Sequence, residues 1–346
     1  MLTRKNQSKI YIPILLLLFL SLVICISIGS VTLPFKEVVE ILIKGFKRIF
    51  EGHPAPLSAN ETIILKIRLP RILSSFLVGA SLAISGASMQ GLLRNPLADG
   101  STLGISSGAS LGAYLAIAFN LSFPIGIFRP TVVFAIIFSL ISIIIIFTLA
   151  RQIDSGFSTT TIILLGVIYS MFVSAITSLI ITFNTRKIES ITFWSMGSLQ
   201  ASSYEGALVL FIVLLVFSII LISKSKELDA LSISESFASN IGVDVKKSKK
   251  IIILAVSFLV GTSVAFSGTI GFVGLISPHI VRRIIGPSHK KLLIFSSIFG
   301  GIFLLYADLL SRTILRPAEI PIGIITSFVG SFIFIYIFYK KRKSHA

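Results

Sequence analysis

Five ionisable residues fall within or beside strongly apolar runs: Asp99, His279, Asp308, Arg312 and Glu319. A charge held in lipid is costly and is kept where it serves as an ion relay, a substrate contact or a buried pair. A cation-coupled carrier would use a carboxylate such as Asp308 in mid-membrane. Asp308 and Arg312 are four residues apart, however, so on one helix they meet as an ion pair, and that is the reading adopted. Arg68, Arg71 and Arg312 all fall at span ends on the outer side. They could snorkel to headgroups, or grip carboxylates of an external partner, for which the guanidinium fork is suited. Spacing alone does not choose between these.

Other chemistries lack their residues. No GxxxxGK[ST] phosphate loop is present. None of the four histidines, which include His53 and His289, forms a metal-type pair. Cys25 is the single cysteine, which leaves neither a disulfide nor a thiolate metal site. If ATP powers this chain, another subunit hydrolyses it, and no cofactor is called for.

The elements that position these residues are membrane spans. Of 346 residues 54% are hydrophobic and 13% charged, against about 25% charged in ordinary soluble domains. Apolar runs near the ~20 residues that cross a bilayer recur along the whole length. Ten spans are expected, near residues 10–31, 69–92, 102–120, 131–150, 160–183, 205–223, 250–270, 272–287, 292–311 and 320–339, in one polytopic all-α domain covering 1–346. The first is too long for the apolar core of a signal peptide and reads as an uncleaved span. Gly271, Gly274 and Pro278 interrupt the eighth, and broken helices are tolerated only where protein or water covers the freed backbone.

The net charge of +17 is scattered over the loops, which points to membrane orientation and not to nucleic acid. Ten spans put both termini on one side. The basic residues Arg4, Lys5 and Lys9 and the tail Lys340–Lys343 place that side in the cytoplasm. The exception is the first external loop, which carries Lys36, Lys44, Lys47, Arg48 and Lys66.

Small residues supply the remaining pattern. Gly104, Gly108 and Gly112 form a ladder at spacing four, as do Gly79, Ala83 and Ala87, a spacing that lets helix backbones approach closely in lipid. Val78–Gly86 reads VGASLAISG and Val260–Gly268 reads VGTSVAFSG, and a gapless extension brings Pro96 onto Pro278. The copies start in spans two and seven, so they run in opposite directions, which implies an inverted repeat of spans 2–5 and 7–10 with a path at its interface. The polar stretch 224–250 holds a short helix through Phe237 and Ala238, capped by Ser232 or Ser234 and ended by Gly242. Its apolar residues suit docking into a partner's groove.

Together these motifs resemble the permease subunits of binding-protein-dependent ABC importers for iron-siderophores, haem and cobalamin, the FecCD-type permeases. The matching segments are RLPRIL at Arg68, SGASMQGLLRNPLADGSTLGISSGASLG from Ser85, FWSMGSL from Phe193, LSISESFASNIGV in the loop, SGTIGFVGLISPHIVR from Ser267, ADLLSR from Ala307 and PAEIPIGIITSFVGSFIF from Pro317. They span nearly the whole chain in the family's order.

The resemblance implies a type II importer permease in a bacterial plasma membrane. Two permeases, identical or related, would assemble with two cytoplasmic ATPase subunits and an external binding protein. It places Arg68, Arg71 and Arg312 against glutamates of that binding protein. It makes Glu235, Phe237, Ala238, Ile241, Gly242 and Val243 the residues that couple to the ATPase. Here the chain departs from the family's frequent Leu-Gly-Glu-Glu, reading Leu231-Ser232-Ile233-Ser234-Glu235. A bulky siderophore, the commonest cargo of the family, implies a smooth path, expected along Gly86, Asn95, Pro96, Gly104, Gly108, Gly271, Gly274 and Pro278.

Overall fold

The computed structural model describes residues 4–29, 31, 33–51, 57–122, 128–154 and 158–343, so His53 lies outside it. Every α or β element among the described residues is helical. In chain order these are α1 (Arg4–Ser27), α2 (Phe35–Glu51), α3 (Ala59–Thr62), α4 (Leu69–Leu93), α5 (Ile105–Ala118), α6 (Pro130–Ile153), α7 (Thr159–Phe183), α8 (Ile188–Ser195), α9 (Tyr204–Ser223), α10 (Ser225–Ile233), α11 (Glu235–Asn240), α12 (Val245–Ser267), α13 (Val273–Ile285), α14 (His289–Ser311) and α15 (Ile322–Lys343). The ten expected spans correspond to α1, α4, α5, α6, α7, α9, α12, α13, α14 and α15. Six helices among the described residues are long and apolar enough to cross a membrane, and three apolar helices are shorter.

Local chemistry sets the boundaries. Ser58 and Glu61 form a reciprocal capping box at α3, and Ser158, Ser203, Ser234 and Asp244 each cap the helix that follows. Between α3 and α4 the helix does not stop but passes through a π-helical turn, Ile63–Arg68. The wider turn re-aims the residues at its end, and both Arg68 and Arg71 point inward.

The helix Ala59–Leu93 is the centre of the molecule, with 83% of its apolar window buried, whereas α7 and α9 bury only 22% of theirs. The outer helices therefore keep lipid-facing or partner-facing surfaces. α4 runs antiparallel to α14. Arg71 meets Asp308 at one end, Gly79 lies against Gly300 in the middle, and Gly91 lies against His289 at the other end. A Cβ on Gly79 would sit 2.3 Å from the Gly300 carbonyl oxygen, so this ladder is there for close helix approach.

α13, with 13 residues, rises about 20 Å against a hydrocarbon core of about 30 Å. Irregular backbone at 268–272 covers the remainder. Gly268 leaves α12 at φ +68, where its Cα hydrogens face the Trp194 carbonyl and a Cβ would lie 2.3 Å from that oxygen. Ser198 N donates to Ser267 O at 2.8 Å on one side of it, and Thr269 Oγ1 donates to Ser195 O on the other. Segment 196–197 is in turn bonded by the start of α15, with Ile322 N donating to Gly197 O at 3.1 Å and Gly323 N to Met196 O at 3.0 Å. Protein thus packs around the break, as membrane-depth irregularity requires.

The two repeat halves keep the same order of four spans, but the proline match does not carry through. Pro96 lies in the loop after α4, while Pro278 is inside α13. Likewise Gly86 is within α4, whereas the matching Gly268 lies just beyond the end of α12.

Candidate functional site

Three places gather the chemistry-bearing residues. At the end of the molecule where α1 finishes, the three arginines form one buried network. Arg71 Nε donates to Asp308 Oδ1 at 2.8 Å, and its Nη1 reaches both Glu319 oxygens at 2.9 and 3.0 Å. Arg312 Nε stands 3.3 Å from Asp308 Oδ2. Asp308 is 1% exposed and the three arginines 4–6%. Arg312 Nη2 also donates to Cys25 O at 2.7 Å, and Arg68 Nη1 to Ile26 O and Ser27 O at 2.8 and 3.1 Å. Arg68 Nη2 donates to Val31 O as well.

The carbonyls of Cys25, Ile26 and Ser27 are orphan acceptors in the last turn of α1, at the negative end of its dipole, and Val31 lies in the connector beyond it. The three guanidinium groups, expected to meet glutamates of an external partner, are buried in this network. Arg68 and Arg312 are C-terminal caps of α1, and Arg71 ties α4 to α14 and to Glu319. The expected Asp308–Arg312 pair is present, with Arg71 as an unforeseen third member. Of this group Arg71 and Glu319 line a cavity of about 500 Å3 with Arg129, Gln200, Trp194 and Phe266. Gln200 holds Glu319 through Nε2 at 2.9 Å.

The second place is a groove of about 560 Å3 between the end of α8, the irregular segment and α15. Ser195, Thr269, Gly271, Ser327 and Ser331 line it together with Met196, Phe328 and Phe332, and its lining has no charged side chain. Gly271 opens onto it: a Cβ there would meet only Ser327 Oγ, at 3.9 Å. Next to it Phe272 is held at φ +68, a conformation costing a bulky residue about 1–3 kcal/mol. Gly330 makes room for its ring, since a Cβ on Gly330 would lie 2.5 Å from Phe272 Cβ. Segments 194–197 and 267–269 contribute to both hollows and so form the wall between them.

Most of the residues expected along a path are elsewhere. A Cβ on Gly86 would sit 2.0 Å from the Gly274 carbonyl oxygen, and one on Gly108 would sit 1.7 Å from Ser142 Oγ. Gly86 and Gly274 are the contact point of α4 with α13, and Gly108 seats α5 on α6. Gly104, at φ +71, turns the chain into α5 beside Tyr169. Pro278 is buried within α13. Asn95 and Pro96 are exposed in a turn in which Asn95 Oδ1 accepts from Leu97 N at 2.9 Å. Asp99 caps the short 3-10 turn Gly100–Leu103. Only Gly271 of the expected set faces open space in the groove. A lining of Gly, Ser and Ala that includes the tenth span is the expectation, and Ser327 and Ser331 of α15, not singled out by number, form its polar stripe at spacing four.

The third place is the 224–250 loop, which holds two helices where one was expected. α11 is capped by Ser234, whose Oγ accepts from Phe237 N at 3.0 Å. It ends at Gly242, φ +86, with Val243 N donating to Ala238 O at 3.0 Å. Phe237 and Ile241 are exposed, together with Ile233 of α10, while Ala238 is buried and Val243 packs on the core.

Glu235 turns inward. Its Oε2 lies 2.7 Å from the ammonium of Lys249, which is 0% exposed, and its Oε1 accepts from Thr159 Oγ1 at 3.0 Å. Arg94 Nη2 stands 3.9 Å from Oε1. Partial burial raises the Glu235 carboxyl, but the hydrogen bond and charge of Lys249, with Thr159 and Arg94, outweigh it and hold it below the usual range. On α10, Asp229 Oδ1 accepts from His289 N at 2.8 Å and meets its ring Nδ1 at 2.7 Å. Both loop helices are therefore strapped to membrane helices by carboxylates. Lys249 hides in a run of lysines, yet it falls on the stripe of buried Ile252, Ile253, Val256 and Val260.

Comparison with known proteins places this geometry. A model of the FecCD transport family matches residues 16–340. An uncharacterized ABC transporter permease of Bacillus subtilis is 39% identical, covering 98% of this chain and 96% of that protein. A cobalamin import system permease of Halobacterium salinarum is 38% identical over 83% of this chain and 77% of its own length. Further relatives are named for haem, iron-chelate and molybdate import. An inward-facing structure of a transporter assigned to the metal-chelate ABC type superposes with a TM-score of 0.83 at 34% identity, covering 96% of this chain and 99% of that one.

Proposed function

The chain belongs to the FecCD transport family, as a multi-pass ABC importer permease, and from that premise we propose that it carries an iron–siderophore chelate into a bacterial cytoplasm. Two separate ATPase subunits drive it, an external binding protein feeds it, and a second permease, identical or related, completes the path. Both termini lie in the cytoplasm. The chain itself does no chemistry on the cargo. An ion-coupled carrier is disfavoured by the pairing of Asp308 and Glu319 with Arg71.

The observation that carries the cargo assignment is the lining of the groove. A small oxyanion would be held by cationic or amide donors. Here about 560 Å3 is bounded by hydroxyls, glycine and two phenylalanine rings, without a charged side chain. Such a wall makes many weak contacts and no fixed ones, which lets a bulky chelate enter and leave. Its match to a metal-chelate type transporter supports the same reading.

The loop divides its labour. Phe237 and Ile241, exposed beside Ile233, form the apolar surface offered to the ATPase. Glu235, Ala238, Gly242 and Val243 hold that surface in place and connect it to α7 and α12. Motion of the partner reaches the spans through the Glu235–Lys249 and Asp229–His289 contacts. On the outer side, Arg71 and Glu319 at the rim of the cavity are the members of the arginine network within reach of a binding protein. Arg68 and Arg312 act behind them by fixing α1.

The test is uptake into proteoliposomes holding the permease, its ATPase and its binding protein. Ferric siderophore, cobalamin and molybdate are offered in turn. Accumulation of the ferric chelate with ATP, and not of molybdate, is the expected result. Uptake of molybdate alone would overturn the cargo assignment and leave the importer assignment standing.

A further inference from the structure

Four of the five basic residues of the first external loop, which run against the positive-inside pattern, belong to α2 (Lys36, Lys44, Lys47 and Arg48), and α2 is amphipathic. Four residues along a helix advance about 40° around it, so Phe35, Val39 and Ile43 form one edge of its apolar arc. Val38, Ile41 and Gly45 form the other edge. The second edge is packed on the protein. Val38 is 2% exposed and joins Ile41, Cys25, Ile64, Ile72 and Leu305 in a small core of its own. A Cβ on Gly45 would lie 2.9 Å from the Leu65 side chain. The first edge is open, with Phe35 58% and Ile43 54% exposed. Asn60 Nδ2 donates to Glu37 at 2.6 Å, which fixes the rotation of the helix about its axis.

The open edge follows a run of exposed apolar residues on α1. Leu20, Ile24 and Ile28 are exposed along α1 and its end, Val31 is exposed in the connector, and Phe35 follows. Lys36 and Lys47 fall on the helix next to Ile43, at the border of the apolar edge, and Lys44 lies beyond them on the exposed side. This is the arrangement of a helix lying in a membrane interface, with apolar side chains among acyl chains and lysines at headgroups.

We propose that α2 lies in the outer membrane–water interface, with Phe35, Val39 and Ile43 immersed in the outer leaflet and Lys36, Lys44 and Lys47 at its headgroup phosphates. The choice of the outer leaflet rests on the orientation proposed above. The immersion does not. An anchored α2 gives the end of α1 and the Arg68 contact beneath it a fixed depth. It also places the loop lysines where they neutralise phosphates, so they do not oppose the orientation of the chain.

The test uses the full chain in liposomes, with Cys25→Ser removing the native thiol. Spin labels are placed singly through Ile43→Cys and Lys44→Cys, each checked for an unchanged melting temperature. Immersion of one face by the ~5–10 Å typical of interfacial helices predicts oxygen collisions exceeding those of a soluble nickel chelate about threefold or more at Ile43, with the order reversed at Lys44. Equal access of the nickel chelate to both labels overturns the proposal. So does protection of Ile43 that appears only when a binding protein is added, since the edge would then be a protein docking surface. An impermeant maleimide applied to Lys44→Cys reports the side. Reaction from outside supports the outer leaflet. Reaction only from inside overturns that assignment and the orientation, and the oxygen contrast still decides immersion.

Discussion

A guanidinium bonded to the last carbonyls of a helix has few donors left for another protein. That is the position of Arg68 and Arg312, and it makes their loss a folding defect before it is a docking defect. Arg71→Ala leaves Asp308 buried beside one remaining cation and leaves Glu319 held by Gln200 alone. Removing one partner of a buried pair costs about 3–5 kcal/mol, so a drop in thermal stability in detergent is expected, alongside any loss of binding-protein affinity. Unchanged stability with lost affinity would mean that Arg71 is a surface contact after all. Glu235 behaves alike at the opposite end of the molecule. Glu235→Gln takes the opposite charge away from the buried Lys249 ammonium, and a loss of stability is expected at neutral pH. The sign of the pH dependence follows from the lowered carboxyl. Its contribution is fully present above the unfolded value near ~4.3 and is lost as pH falls through the lower folded value. Melting curves of the wild type and Glu235→Gln should therefore differ at pH 7 and converge below the ordinary carboxylate range. A gap that persists there would place the stabilisation elsewhere.

The long spans were legible as elements because each is a continuous apolar run closed by a cap or a proline. Four other elements were not. α2 mixes charged and apolar residues so evenly that no continuous apolar run marks it, and only its period reveals it. The π turn Ile63–Arg68 has no sequence signature. α8 and α10 are short, and their apolar positions are made meaningful by what packs on them. In the 224–250 loop the capping serine and terminating glycine were readable, whereas the inward turn of Glu235 depends on Lys249 being on the buried face of α12. The loop gives a prediction at this scale. Phe237→Ala and Ile241→Ala truncate exposed side chains with nothing to lose in the fold. If they seat in the ATPase, each should weaken its binding by about 1–2 kcal/mol, roughly 5–30-fold, as for interface anchors. Co-purification or titration of the ATPase would show this, with no shift in the melting temperature of the permease. Full-strength binding by the double variant would move the docking surface off α11.

At the scale of the molecule, the repeat, the span order and the broken eighth span were all visible in the chain. The path was not. Glycine at spacing four carries the same signature whether it faces a cavity or another backbone, and in lipid the second use dominates. Hence Gly86, Gly108 and Gly274 turned out to be helix contacts, while the open surface is set by the crossing of segments 194–197, 267–272 and 321–323, distant in sequence. That crossing also leaves one glycine with room beside it. In the proposed function, cargo passes along the hydroxyl-lined groove that Gly271 faces. The most direct test is ATP-driven chelate uptake by Gly271→Leu beside Gly108→Leu. Gly271 has open space and no left-handed φ, so Gly271→Leu should fold, bind the ATPase and melt like the wild type, yet lose tenfold or more of its uptake, about 1.4 kcal/mol at the limiting step. Gly108→Leu should lose its fold. Wild-type uptake by a well-folded Gly271→Leu would contradict the claim and put the path on another face.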